Sequence, residues 1–522
     1  MGCGASVGRE VAANGIRVEE RESVATRDAS GLEASQLSQA LVHSHNLKDI
    51  DEVYDVNWTV AGGLGKGASG FVRPCQHKIT KEWYAVKTID TYRMEPEIVD
   101  QLFEEVAIMK ILDHPNCIKV IETFINFKRL HIVMERCTGG ELFDRLYEQP
   151  NARFKEAAVK DIVVKMLSAL SYLHANKIIH RDLKLENFLF TRPGEEGELK
   201  LIDFGLSRAY LEGEHMQRVA GTPYYMAPEL LRGDYSEAVD MWSLGVIVYM
   251  LLSGQCPFGG STTEEITNRV IQGNYVFPKS IWSDISEEAK NFISTLLVQN
   301  VNQRASATSA YGHAWIKGTS VNETHELSEA KNAHIIQHMV EYRNYSELKR
   351  AALIAITFTL GEKEIAQMRK SFQAADKDNS GIVSNGEFVA VLKSHGIMDD
   401  EECQRIYESV DQSHSDTVTY TEYLAACIDE KQFLEDKRVI EAFHKLDLDN
   451  SGSITRENLK ELFGDQCTDE AIDRILADAD FSKNGVIDLD DFRKVLRGER
   501  ASGQNKDHHK KPKGKRKRPS VC

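Results

Sequence analysis

The stretch Leu64-Gly65-Lys66-Gly67-Ala68-Ser69-Gly70-Phe71-Val72 sets three glycines in a turn between two strand-like runs. Glycine lets backbone amides approach phosphate oxygens with no side chain in the way, although an isolated turn of this kind reads as readily as an ordinary hairpin. Downstream, Ala85-Val86-Lys87 brings an ammonium group within reach of the same phosphates. Glu105, on a helical pattern over residues 103–112, is spaced to hold that ammonium by an ion pair. A second chemistry recurs toward the C-terminus. Clusters of Asp, Ser, Asn and Gly begin at Asp376, Asp411, Asp447 and Asp480, 33 to 36 residues apart. Oxygen donors at alternate positions of a short loop are ligands for a hard divalent cation, above all calcium.

Between these sets lie His180-Arg181-Asp182-Leu183-Lys184-Leu185-Glu186-Asn187, Asp203-Phe204-Gly205, Gly221-Thr222-Pro223 and Ala227-Pro228-Glu229. In this order, after the glycine turn and Lys87, the segments resemble the protein kinase family over residues 58–316. The resemblance implies a bilobal α+β kinase fold and transfer of the ATP γ-phosphate to protein Ser/Thr, with Mg²⁺. It makes Asp182 the acceptor of the substrate hydroxyl proton and Lys184 a neutralising charge on the transferred group. Asn187 and Asp203 would hold magnesium. The nucleotide would be met by Leu64, Gly65, Lys66, Gly67, Gly70, Val72, Ala85, Lys87, Glu105, Met134, Glu135, Cys137 and Glu141, with Asn187 and Asp203. Met134 stands at the back of the adenine pocket, and Glu135 and Cys137 in the hinge. Glu141 and Glu186 would favour basic residues before the target; a solvated surface carboxylate is the plainer alternative for both. Lys184 and Thr222 are similar to the serine/threonine branch. Leu185 departs from the family, where proline is usual. Arg304 is expected to brace Glu229. Ser207 and Tyr210 are the phosphorylatable groups between Gly205 and Gly221, and Arg218 stands where many kinases carry an activating phosphothreonine, so activation-loop phosphorylation is not expected to be needed.

The four acidic loops span residues 376–387, 411–422, 447–458 and 480–491. A twelve-residue calcium loop wants oxygen at positions one, three, five, seven and nine, glycine at six and a bidentate glutamate at twelve. The first loop fits throughout, with Asp376, Asp378, Ser380, the Ile382 carbonyl, Ser384 and Glu387. The second offers Asp411, Ser413, Ser415, Thr417, Thr419 and Glu422, but Asp416 replaces the glycine and must enter the left-handed region at a cost. The third has Asp447, Asp449, Ser451, Ser453 and Thr455, and ends in Asn458, with one oxygen where two are needed. The fourth has Asp480, Ser482, Asn484, the Val486 carbonyl and Asp488, and ends in Asp491, one methylene short. The expected order of affinity is first, fourth, then second and third, with one or two loops open to remaining empty. Val383, Val418, Ile454 and Ile487 share position eight, where paired loops form a short strand.

Kinase segments and loops together resemble the calcium-dependent protein kinases of plants and protists over residues 58–498. This implies an all-α calmodulin-like domain of two EF-hand pairs, residues 361–498, whose helix pairs open on Ca²⁺. Residues 317–360 carry a basic amphipathic pattern, with Ile335, Met339, Tyr342, Leu348, Ala352 and Ile356 beside Lys349 and Arg350. That pattern suits a calmodulin-like groove. By resemblance it occludes the kinase without calcium; a linker helix on the C-lobe is the alternative. Thr359 and Glu362 read as a capping box.

The positioning elements follow from period. Short strand patterns run from Trp58, and helical periods dominate after Glu141, as over residues 159–174 and 236–252. Residues 1–57 read as an extension and 499–522 as a basic tail, with eight Lys/Arg against one Asp over residues 506–518. The tail could meet anionic lipid, serve nuclear import or simply be solvated. Gly2 and Cys3 fit myristoylation and palmitoylation, implying a partly membrane-associated cytoplasmic protein. No apolar run reaches the roughly 18 residues of a span, no apolar leader is seen, and nine scattered cysteines read as reduced thiols. A net charge of −16, acidic after about residue 361, argues against nucleic acid. A monomer acting on protein substrates is expected. The competing reading is a catalytically inactive calcium-responsive scaffold. A kinase needing separate calmodulin is made unnecessary by the built-in loops.

Overall fold

A computed structural model describes residues 40–42, 44–46, 49–59, 65–67, 70–92, 94–126, 128–194, 197–209, 223–317, 329–429, 433–464, 467–499 and 501. Gly2, Cys3, Leu64, Tyr210, Arg218, Thr222 and the basic tail lie outside the described residues, as does the side chain of Lys66.

The first described elements are β1 (Ser44–Asn46), a helical turn (Ile50–Val53), β2 (Tyr54–Val56), β3 (Gly65–Gly67), β4 (Gly70–His77) and β5 (Trp83–Asp90). Helix α1 (Pro96–Ile111) follows, then β6 (Val120–Ile125) and β7 (Arg129–Glu135). The sheet order is β1-β6-β7-β5-β4-β2, with β3 folded back on β4. β1 runs parallel to β6, and the other pairings are antiparallel. The sheet therefore recruits residues upstream of 58, and the reading of 1–57 as a plain extension needs correction. Two three-residue strands carry too little period-2 signal to be seen in sequence. Their anchor is Tyr54, which is 1 % exposed and sits edge-on to His77, Tyr84 and Phe124.

The larger lobe is built on α2 (Leu142–Glu148), α3 (Glu156–Ala175), α4 (Ala238–Ser253), α5 (Thr263–Gln272) and α6 (Glu287–Leu296). Short ribbons β8 (Ile178–Ile179) with β11 (Arg208–Ala209), and β9 (Phe188–Phe190) with β10 (Leu199–Leu201), frame residues 180–207. α4 is buried nearly all round, which is why it reads as apolar rather than amphipathic. Arg304 donates to both oxygens of Glu229, its guanidinium lying over Trp242. Removing either partner of so buried a pair costs about 3–5 kcal/mol.

Two helices connect the lobes to the calcium loops: α7 (Glu329–Tyr342) and α8 (Glu347–Thr357). The first loop pair uses α9 (Glu362–Ala375), α10 (Asn385–Ser394), α11 (Asp400–Val410) and α12 (Tyr420–Cys427). The second uses α13 (Asp436–Leu446), α14 (Arg456–Phe463), α15 (Asp469–Ala479) and α16 (Leu489–Leu496). Strands β12 (Val383–Ser384) and β13 (Thr417–Val418) join the first two loops with Val383 opposite Val418, and Ile454 bridges Ile487 by two backbone hydrogen bonds of 2.9 and 3.0 Å. The cap of α9 differs from expectation. The Thr359 hydroxyl donates to the Ile356 carbonyl and so finishes α8, while Gly361 caps α9 through a 2.8 Å bond from its N–H to Glu364.

Candidate functional site

Strand pairing puts residues expected to face the nucleotide on one surface. Val72 lies opposite Lys87 and Ala85 opposite Met134, and Ala85 and Lys87, two apart, share a face. The glycine turn closes tightly: a Cβ at Gly70 would meet the Thr88 carbonyl oxygen at 2.3 Å. Gly65 pairs with Val72, and Gly67 with Gly70. Lys87 Nζ lies 3.2 Å from Glu105 and 3.1 Å from Asp203, joining sheet, α1 and the lower lobe. Burial alone would lower the Lys87 ammonium, but the two carboxylates outweigh it and hold it above its ordinary range. Burial works equally against the Asp203 carboxylate, and Lys87 overrides it and keeps it low. The Glu135 carboxylate accepts from the Lys119 N–H and from Lys200, both at 2.8 Å, and its own N–H donates to the Lys119 carbonyl at 3.0 Å. Burial pushes the Cys137 thiol well up.

Residues 180–187 are shaped by Asp240, which accepts the N–H groups of His180 and Arg181 at 3.0 and 2.9 Å and a bond from His174. Arg181 and Asp203 hold φ of +67° and +60°, a region bulky residues avoid unless their surroundings impose it. Lys184 Nζ donates to Asp182 Oδ2 at 2.5 Å, and Asn187 donates to the Asp182 carbonyl at 2.8 Å. These contacts form two sets, Lys87 with Glu105 and Asp203, and Asp182 with Lys184 and Asn187, which meet where the N–H of Ile202, next to Asp203, donates to the Asn187 carbonyl at 2.9 Å. Ser207 is buried, with its hydroxyl directed at the His180 carbonyl. Glu141 is the N-cap of α2, and its carboxyl is raised by burial with Asp144 and Glu186 nearby. Glu186 Oε2 is buried with no hydrogen-bond partner among the described residues.

All four calcium loops repeat one backbone pattern, with positive φ at position four (Asn379, His414, Asn450, Lys483) and position six (Gly381, Asp416, Gly452, Gly485). Asp416 takes φ +59° without glycine's freedom. Position twelve is also the third residue of the exit helix. In the first loop Glu387 spends Oε2 on the Ser384 N–H and turns Oε1 to the loop, at 2.8 Å from the Lys377 N–H. Glu422 does the same, with Oε2 on Thr419 and Oε1 on Ser413. Asn458 gives its single oxygen to the Thr455 N–H at 3.0 Å and has no second oxygen to turn to a cation. Asp491 turns Oδ2 toward the Ser482 N–H, and Lys494 sits 3.4 Å from Oδ1. Oxygens of Asp376, Asp378 and Glu387 come within 4.8 Å of one another. Burial lifts Asp376 to about 8 and Glu422 to about 7, the mark of carboxylates gathered without a counter-charge. The first two loops therefore present the better terminal ligands, which sets the second ahead of the fourth, unlike the expected order.

The loops are seated on the kinase-like half. Asp113 accepts the Thr421 N–H at 2.9 Å and its hydroxyl at 2.6 Å, capping α12 beside Glu422. Lys119 donates to the same hydroxyl at 2.7 Å and lies over the Phe358 ring. The first loop rests on His114: a Cβ at Gly381, already at φ +83°, would meet the His114 ring at 2.2 Å. Lys445 of α13 pairs with Glu122 at 3.2 Å, and Glu441 accepts from His77. α8 packs in the sensor, against α12, α13, α15 and α16, and the Phe358 carbonyl that follows it accepts from Tyr84. Asp113, His114, Thr421 and Lys445 carry no motif, and sequence reasoning missed them. The one signal was Thr421's place next to a position-twelve glutamate.

Comparison with known proteins agrees with this division. A protein kinase domain matches residues 58–316, and an EF-hand domain pair matches residues 365–428 and again 436–497. Calcium-dependent protein kinase 5 of Plasmodium falciparum is 33% identical over 89% of this chain and 81% of its own length. Calcium-dependent protein kinase 11 of Oryza sativa is 32% identical over 92% of this chain and 82% of its own. Calcium-dependent protein kinase 3 of Plasmodium yoelii yoelii is 34% identical over 76% and 72%. No helix of the described residues is long and apolar enough to cross a membrane. With a kinase domain, two EF-hand pairs and relatives of this likeness over most of its length, the chain belongs to the calcium-dependent protein kinases.

Proposed function

We propose that α8 is the switch of this calcium-dependent serine/threonine kinase, held by the sensor when the first loop pair carries calcium and returned to the kinase cleft when it does not. The observation that carries the reading is the shared position of Thr421: its neighbour Glu422 is a loop ligand, while its own N–H and hydroxyl bind Asp113 of the kinase half. A change at the calcium loop is therefore a change at the docking contact. Packing of α8 between α12 and α13 supports the same switch. Residues 376–387 and 411–422 would hold Ca²⁺ through Asp376, Asp378, Ser380, Ile382 and Glu387, and through Asp411, Ser413, Ser415, Thr417 and Glu422. Asp480, Ser482, Asn484, Val486 and Asp491 would hold it more weakly, and the third loop least of all.

In the cleft, Asp182 would accept the substrate hydroxyl proton, kept in place by Lys184 and Asn187. Asn187 and Asp203 would hold Mg²⁺, which when bound supplies the charge that offsets the phosphates. Lys87, fixed by Glu105, would orient the nucleotide against Val72, Ala85 and Met134. The buried, unpartnered Glu186 Oε2, with Glu141 beside it, supports a peptide arginine before the target residue. Acylation at Gly2 and Cys3 would add membrane attachment.

The test is phosphorylation of an arginine-containing serine peptide by purified full-length chain, in calcium and in excess chelator, with no calmodulin added. If each working loop favours the active state about tenfold, two loops give roughly 10²-fold activation. Equal turnover in chelator would end the reading. Glu186→Ala should lower kcat/KM for that peptide and spare one lacking the arginine.

A further inference from the structure

Among the described residues, two clusters of ligand-type side chains lie outside the sites above. His77, Glu122 and Glu441 are buried together, but the His77 Nδ1 accepts the N–H groups of Ile79 and Thr80. Its proton is therefore on Nε2, turned to Glu441, and Lys445 occupies Glu122. That cluster is a hydrogen-bonded ion-pair knot.

The second cluster lies on the connecting helix α7 and at the end of α12. His334 and His338 stand one turn apart on α7, each just before a buried residue of its apolar stripe, Ile335 and Met339. α7 packs on α12 along that stripe. Asp429, two residues past the end of α12, comes to the same edge. His338 Nε2 and His334 Nδ1 are 3.0 Å apart, and the ligand atoms of all three residues lie within 4.8 Å of one another. Two nitrogens on one tetrahedral ion, each at about 2.0–2.1 Å, stand about 3.3 Å apart, so a small side-chain shift admits the metal. Two imidazoles and a carboxylate select a borderline transition ion, not calcium or magnesium, which want oxygen alone. The negative end of α12 beside Asp429 adds to the attraction for a cation.

We propose that His334, His338 and Asp429 form a binding site for a Zn²⁺-class ion that clamps α7 to the end of α12. The ion takes two nitrogens and one carboxylate oxygen from the protein, and water completes its shell. Because α7 leads directly into α8, the clamp favours the arrangement in which the sensor holds α8, and zinc lowers the calcium needed for activity. That consequence rests on the proposed switch role of α8; the binding itself does not.

The experiment uses full-length chain with calcium in excess, so that the loops are filled before a transition ion is added. Co²⁺ alone is the probe, followed by visible spectroscopy, with Zn²⁺ then added to displace it. The expected result is one equivalent of Co²⁺ with the d–d bands of a nitrogen and oxygen shell and no thiolate charge transfer. His334→Ala and His338→Ala should each weaken it at least about tenfold and Asp429→Asn less, with unchanged circular dichroism in the absence of added metal. Retention of the full equivalent in the double variant His334→Ala/His338→Ala would overturn the site. Loss of binding with no change in the calcium dependence of peptide phosphorylation would keep the site and remove its coupling to α8.

Discussion

The two loop pairs share a backbone yet are used differently. In the first pair both loops end in glutamate, and both touch the kinase with the loop or its exit helix: Gly381 on His114, Thr421 on Asp113. In the second pair the loops end in Asn458 and Asp491, and contact with the kinase comes from the middle and end of α13, through Glu441 and Lys445. A carboxylate with two oxygens can cap its helix and ligate a cation together, whereas Asn458 has no second oxygen to turn to a cation. The pair with the better ligands is also the pair whose ligands adjoin the kinase. On the proposed switch, chemical quality of a loop and its mechanical connection go together, with the second pair as an anchor.

The largest effect that would break this contrast lies at position twelve. Glu387→Gln with Glu422→Gln keeps an oxygen for each cap and removes the charge that meets calcium. Activation should fall by about 10²-fold, read from peptide phosphorylation across a calcium titration. Asp491→Asn, in the fourth loop, should cost no more than about tenfold in calcium requirement. Equal losses from the two changes would erase the distinction between the pairs.

Next in size is an anchor specific to the first pair. Glu198 is buried, 3.6 Å from Lys165 and from Arg369 of α9, and bonded to Asn116 at 3.0 Å. Burial opposes its charge, but Lys165 and Arg369 outweigh burial and bring the carboxyl down to about 2 from 4.5. A depressed carboxyl contributes stability that is complete above its unfolded value and is lost as pH falls toward the folded one. The contribution is on the order of 3 kcal/mol above about pH 4.5, disappearing as pH nears 2. Thermal melts between about pH 5 and about pH 3 should show this slope, and Glu198→Gln should flatten it. Glu441→Gln, at the second pair's contact, should leave the slope in place.

Much of the catalytic half was legible because its chemistry demands fixed residue types in a fixed order. Lys87, Glu105, Asp182, Asn187 and Asp203 announce themselves, and the structure gathers them. The loops were legible for the same reason, and position eight foretold the short strand contacts between loops. The docking contacts were not. Asp113 and Thr421 are 308 residues apart, and although Thr421 sits at position eleven of a repeated loop, nothing in that repeat points to Asp113. Arg369 reads as one more exposed helix cation until α9 is laid against Glu198. Lys494, which sets itself against Asp491, explains a weakness in the fourth loop beyond its short side chain, and only the folded exit helix brings the two together. Three-residue strands escaped for want of length. Thr359 misled because a hydroxyl just before a helix can equally finish the helix behind it.

The finest test of the contrast is a double-mutant cycle on the contact that joins loop and kinase. Thr421→Val removes the hydroxyl that Asp113 accepts, while leaving Glu422 and its cap intact. Asp113→Asn keeps the shape and one acceptor but loses the charge beside Lys119, whose ammonium burial already pushes down. A buried hydrogen bond to a charged group is worth about 1.5–3 kcal/mol, so either change should raise the half-activating calcium roughly tenfold. The two together should add little more, because they break one contact. Linkage then requires the reciprocal effect: calcium affinity of the first pair must fall by the same factor in the docked protein. Glu441→Gln retains an acceptor for His77 and adjoins no position-twelve glutamate, so its shift should stay within about threefold, under 0.7 kcal/mol. If Glu441→Gln moved the calcium dependence as far as Asp113→Asn, the second pair would be a reader of calcium in its own right and not an anchor.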